Sequence, residues 1–221
     1  MTYRYPDVPP SVGRLEAERF DPLTWKPEYP NTAFDNMRPE DAFWAARIVA
    51  RFSEETIRAV IGKARYTDPR ATEFLTRTLM ARRDKVLRAW LTCVNPLAEA
   101  VLDRNGRLSA SNVAVDAGVT TPPSSYTLSW FTLDGNADSG KTTPIGEPVR
   151  VDGAARLTAA APAGALASAD VRFIGVRITG DHAHHPAWKT HPATFYFRRS
   201  AAGWELAGVD RNQPGDTGDT K

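Results

Sequence analysis

The sequence has 221 residues, 42% hydrophobic and 24% charged, with a formal net charge of +2. That balance belongs to a folded chain with a packed core and makes no demand for nucleic acid or an anionic membrane. A single cysteine, Cys93, excludes an internal disulfide and a cysteine zinc cluster, and no apolar run reaches the roughly 20 residues needed to cross a bilayer.

Residues 1–35 hold six prolines, at positions 6, 9, 10, 22, 27 and 30, with Phe20, Trp25, Tyr29 and Phe34 among them. Proline fixes φ and removes a donor, so the segment reads as an extended arm without regular helix or central strand. Its aromatics need cover, which predicts packing on the next unit. Met1-Thr2-Tyr3-Arg4-Tyr5-Pro6 has no apolar h-region, so no signal peptide is read in this chain.

Residues 36–104 read as a small helical bundle. Pro39 with Glu40 and Asp41 marks a first helix start, Ser53 a second, and Asp68-Pro69 a third. Phe43, Trp44, Ile48 and Phe52 fall on or near one stripe of the first helix. Leu75, Leu79, Val86, Trp90, Cys93 and Leu97 form the expected core stripe of the third, which Pro96 ends or kinks. Cys93 on that stripe is expected to be a small hydrophobe. Arg82 and Arg83 interrupt it, and a buried guanidinium needs a carboxylate, with Asp41 or Asp84 in reach. The rival reading makes them anion ligands. From Arg38 to Arg88 there are twelve Lys and Arg against seven Asp and Glu. This excess reads as a solvated face, because the aromatic interleaving of a nucleic-acid surface is missing.

Asn105-Gly106 is a turn signal where the period changes. Strands are predicted over 107–115, 125–132, 147–151, 155–160, 171–179, 193–199 and 203–210, with Tyr126 and Trp130 as core aromatics. Seven strands without intervening helix give the fold class: α+β, a small helical bundle followed by an all-β immunoglobulin/fibronectin-III-like sandwich over 105–211. Residues 212–221 read as a disordered polar tail.

Two motifs stand out in the second half. Gly135-Asn136-Ala137-Asp138-Ser139-Gly140-Lys141-Thr142 fits the P-loop pattern letter for letter. A true P-loop needs a helix beginning at its Lys-Thr end, where backbone amides and the dipole hold phosphate. Pro144, Gly146 and Pro148 forbid that helix, so Gly135, Gly140, Lys141 and Thr142 read as a false match in a hairpin loop. All four histidines lie close together, as His182, His184, His185 and His191 beside Asp181. On an extended backbone His182 and His184 point the same way, which makes His182, His184 and His191 the candidate metal ligands. The spacing matches no specific metal motif, and a polar loop is the competing reading. No nucleophile–base pair is found, so no catalytic residue and no cofactor are assigned.

Trp25-Lys26-Pro27-Glu28-Tyr29-Pro30-Asn31, Asp41-Ala42-Phe43-Trp44-Ala45-Ala46 and Arg82-Arg83-Asp84-Lys85 resemble the C-terminal region of large uncharacterised bacterial proteins. The hairpin Phe195-Tyr196-Phe197-Arg198-Arg199 with Gly203 to Arg211 resembles the end of the same proteins. Their upstream part looks kinase-like, and no activity or catalytic residue carries over to this chain. The resemblance implies the C-terminal part of a larger protein. Three functions follow as expectations. The first is a non-catalytic accessory or binding module. The second is a partner subunit completing a kinase-like enzyme, with Arg82, Arg83 or Lys85 on an anionic substrate. The third is metal binding through the histidines.

Overall fold

A computed structural model of the protein describes residues 8–13, 15–133, 141–162 and 171–211. The chain divides into two units, Met1–Leu91 and Thr92–Lys221. The expected tail 212–221 lies outside the described residues.

The first unit is helical: α1 (Thr32–Asp35), α2 (Pro39–Ala50), α3 (Glu54–Gly62) and α4 (Pro69–Trp90). All three longer helices start where cap chemistry predicts. The Asp41 carboxylate accepts the Arg38 N–H at 3.0 Å, Ser53 Oγ accepts the Thr56 N–H at 3.1 Å, and Asp68 accepts the Arg70 N–H at 3.0 Å. The short α1, capped by Asn31, is a turn of regular helix in a segment expected to have none. α2 and α3 both pack on α4.

The buried faces differ from the expected stripes. α2 buries Ala42, Phe43 and Ala46, while Trp44, Ile48 and Phe52 are 64%, 40% and 44% exposed. The two alanines, one turn apart beside Phe43, present the small surface that packs inward. On α4 the buried residues are Ala71, Thr76, Thr78 and Leu87, and Leu79 is exposed. Thr76 is accommodated by donating its hydroxyl to the Thr72 carbonyl at 2.8 Å.

The arm is only partly covered. The Lys85 ammonium donates to the carbonyls of Ala17, Glu18 and Phe20 at 2.7, 2.9 and 2.9 Å. Three donors meet three acceptors. Arg82 lies over the Phe20 ring at 4.2 Å. Trp25, Tyr29 and Phe34 remain exposed, contrary to expectation, although Trp25 and Phe34 meet edge to face at 5.3 Å.

The second unit is built from antiparallel strands: β1 (Leu97–Leu102), β2 (Arg107–Asn112), β3 (Ser125–Leu133), β4 (Thr142–Pro144), β5 (Val149–Asp152), β6 (Arg156–Ala160), β7 (Phe173–Asp181), β8 (Ala193–Ser200) and β9 (Gly203–Asp210). Two short helices, α5 (Val113–Asp116) and α6 (Ala187–Thr190), interrupt them. One sheet has the order β1-β2-β6. The other runs β4-β3-β7-β8-β9, with β5 also paired to β3.

The helical unit therefore ends earlier than the expected 104, because Leu97–Leu102 is a strand and belongs with the sheets. Leu97 continues the helical spacing of α4 in sequence, but α4 stops at Trp90, and Leu97, Ala98, Ala100 and Leu102 are buried against Glu99 and Val101 exposed. A register shift between Ala98 and Val101, with Glu99 at φ 54, marks a bulge that hides the alternation. The Asn105-Gly106 turn forms as expected: Asp103 Oδ1 accepts the N–H groups of Asn105 and Arg107, and Gly106 takes φ 78. The strand predicted over 107–115 ends at Asn112, whose side chain accepts the Val115 N–H and starts α5.

Both sheets contribute to one core. Leu97, Leu102, Leu108 and Leu157 come from the smaller, and Tyr126, Trp130, Val176, Phe195 and Phe197 from the larger. Tyr126 and Trp130 thus sit where the sequence places them. On the opposite face of β7, Gly175 pairs with Phe131, and a Cβ there would lie 2.2 Å from the ring. Arg177 stacks on the same ring at 4.6 Å.

Candidate functional site

The phosphate-loop letters end in a strand. Thr142 opens β4 and pairs antiparallel with Leu133, so the chain leaving Lys141 is extended where a phosphate loop needs a helix. Gly135 and Gly140 lie outside the described residues.

The histidine segment folds as a turn followed by α6. His182 is 6% exposed. Its Nδ1 accepts the His184 N–H at 3.0 Å, so its Nε2 carries the proton and donates to the Thr121 carbonyl at 3.1 Å, with Thr120 Oγ1 at 3.2 Å. The same Thr120 hydroxyl lies 3.1 Å from His185 Nε2. His185 stacks on Trp188 at 4.5 Å and 19°, and His182 meets both rings at 4.6 and 4.9 Å. The indole N–H of Trp188 donates to the Thr92 carbonyl at 3.2 Å. Burial and the neighbouring imidazoles push His185 below the usual histidine value.

The structure thus brings together His182, His185, Trp188 and Thr120 rather than His182, His184 and His191. The His184 side chain is exposed, and His191 Nδ1 faces the Ala187 carbonyl at 3.2 Å at the end of α6. The extended geometry expected of His182 and His184 is replaced by a tight turn. Among the described residues, no group of three or more His, Cys, Asp or Glu side chains is placed to hold a metal ion.

Arg82, Arg83 and Lys85 of α4 have three different surroundings. Arg83 pairs with Asp84 at 2.8 Å, one of the two expected partners, and donates to the Ala50 carbonyl at 3.0 Å, the C-terminal end of α2. Asp41 is instead the cap of α2. Lys85 is consumed by the arm, and Arg82 lies over Phe20. Cys93 lies beyond the end of α4 and is partly buried.

Tyr126 anchors the sheet unit from inside. Its hydroxyl receives the Asn112 amide at 2.9 Å and donates to the Ala154 carbonyl at 3.1 Å, and burial pushes it up to about 12. These are structural bonds. No helix among the described residues is long and apolar enough to cross a membrane. No family model matches the chain, and no curated protein or solved structure does.

Proposed function

We propose that this chain is a non-catalytic accessory module, part of a larger assembly, whose helical unit docks a second protein domain. The observation that carries this reading is the double face of α2. Ala42, Phe43 and Ala46 turn inward, while Trp44 and Ile48, four residues apart, turn outward, and Phe52, two residues past the end of the helix, is exposed as well. A helix apolar on both sides is built to be covered on both sides. Arg51 is exposed on the same stripe, and the surrounding segment is basic. The matching surface is therefore an apolar patch with an acidic rim, on an upstream or separate kinase-like domain.

In this reading the sheet unit is an immunoglobulin/fibronectin-III-like spacer. Support comes from strand order: β1, β2 and β6 share one sheet and β3, β7 and β8 the other, the A-B-E and C-F-G division of such sandwiches. The enzyme-completing alternative keeps only Arg82 as an open cation, since Arg83 and Lys85 are engaged within the helical unit. The metal alternative ranks last, because its three histidines face different partners.

The test is the isolated chain with an apolar dye. Wild type is expected to bind the uncharged dye Nile red, and the double variant Trp44→Glu, Phe52→Glu to lose that binding with its helical circular dichroism intact. Equal dye binding by the two proteins would remove the docking face.

A further inference from the structure

The arm and α4 enclose a recess of about 300 Å³ within the helical unit. Its walls include Leu15, Arg19, Phe20, Asp21, Trp25 and Arg82. No residue of the outward α2 stripe lines it, so the recess stands independently of the docking face.

Arg82 is the central group. Its guanidinium lies 4.2 Å over the Phe20 ring, a contact that uses none of its N–H donors for a hydrogen bond. Among the described residues it has no hydrogen bond and no ion pair. Arg19, which lines the recess from the arm and is exposed, is likewise without a partner among the described residues. Two carboxylates share the recess, and neither forms an ion pair with Arg19 or Arg82. The Asp21 carboxylate is turned to its own loop, accepting from the Leu23 N–H and the Thr24 hydroxyl at 3.0 Å each. Glu16, which also lines the recess, is engaged in an interaction of its own.

The backbone beneath Phe20 is fixed in advance. Lys85 pins the carbonyls of Ala17, Glu18 and Phe20, which holds the ring on which Arg82 rests. Trp25, 47% exposed, is steadied from the side by Phe34 and offers an open aromatic surface beside the two guanidinium groups. Two arginines without an ion-pair partner, in a recess with an open indole, match one ligand chemistry: an oxyanion head carried on a flat apolar body.

We propose that this recess is a binding site for a small organic anion, an aromatic carboxylate or phosphate monoester. The head bridges Arg82 and Arg19, and the apolar body lies along Trp25.

Isothermal calorimetry on the full chain tests this with phenyl phosphate, phenylacetate and inorganic phosphate as probes. Phenyl phosphate or phenylacetate is expected to bind more tightly than inorganic phosphate, and the better of the two identifies the head group. Loss of a charge-assisted contact in Arg82→Gln is expected to weaken that binding about tenfold or more. Arg19→Gln, a change at an exposed side chain, is expected to weaken it severalfold with an unchanged melting temperature. Should Arg82→Gln loosen the arm, Arg19→Gln alone decides between site and no site. Absence of heat from both organic probes at millimolar concentration, or wild-type affinity in Arg19→Gln, would overturn the site.

Discussion

Trp130, Trp188, Phe195 and Phe197 of the sheet unit are all buried, whereas Trp25, Tyr29, Phe34, Trp44 and Phe52 of the helical unit are all exposed. Two sheets close on their aromatics from both sides. Three helices in which α2 and α3 share α4 as their support leave each outer helix with an uncovered side. The same residue types therefore lie differently in the two halves: they hold the sheet unit shut, while these five of the helical unit, unlike Phe43, stay on the outside.

The largest effect is expected at the shared core. Phe195→Ala removes a fully buried ring and should cost about 3–5 kcal/mol, read as a lower denaturant midpoint of the sheet unit. A loss near zero there would mean that the sheets do not share a core. Gly175→Ala comes next, at about 1–3 kcal/mol, because the added methyl meets the Phe131 ring from 2.2 Å. Chemical denaturation of Gly175→Ala with Phe131→Leu alongside checks it, since the smaller side chain should restore much of the loss.

The histidine turn supplies a pH-dependent difference between the units. His185 has its folded value lowered from 6.5 by burial and by His182 and His184, so below 6.5 the unfolded chain binds more protons than the folded one. Its contribution is complete above that pH and is lost as pH falls through the folded value. Lys189 and Arg150 lie within ion-pair distance of Asp181, next to the turn, and add their charges to the same neighbourhood. The melting temperature read by tryptophan fluorescence should decline from pH 7 to 5, with a flatter slope in His185→Gln.

In the helical unit the expected effects are smaller. Ser53→Ala removes the α3 cap and should cost about 1 kcal/mol, seen as lost helicity on mild heating. Trp44→Ala should change stability by no more than about 0.5 kcal/mol by denaturant titration, because 64% of the residue already faces water. A large loss at Trp44 would place it in a core and erase the contrast between the units.

Helix starts were legible because capping is local: Asp41, Ser53 and Asp68 each act within three residues. Which face of α2 turns inward was not, since Phe43 and Trp44 are equally apolar and only the partner helix chooses between them. β1 was hidden by the bulge at Glu99 and by Leu97 extending a helical spacing. β4, three residues ending in Pro144, has no period to read. The histidine cluster was visible as composition, yet the contacts that define it come from Thr120 and Thr121, about sixty positions away. His185 and Trp188, three apart, meet only because α6 forms. The Arg83–Asp84 pair was within reach of sequence reasoning. The carbonyls that hold Lys85 were not, because backbone acceptors leave no mark in the letters.

That Lys85 arrangement fastens the arm by charge to dipole rather than by charge to charge. Counterions that loosen an exposed ion pair have no rival anion to shield there. Acetylation is a different matter: it cancels the positive charge and leaves one N–H where three carbonyls wait. Residues 17–20 would then lose that fastening, and the peptide bond after Arg19 should become a faster trypsin site.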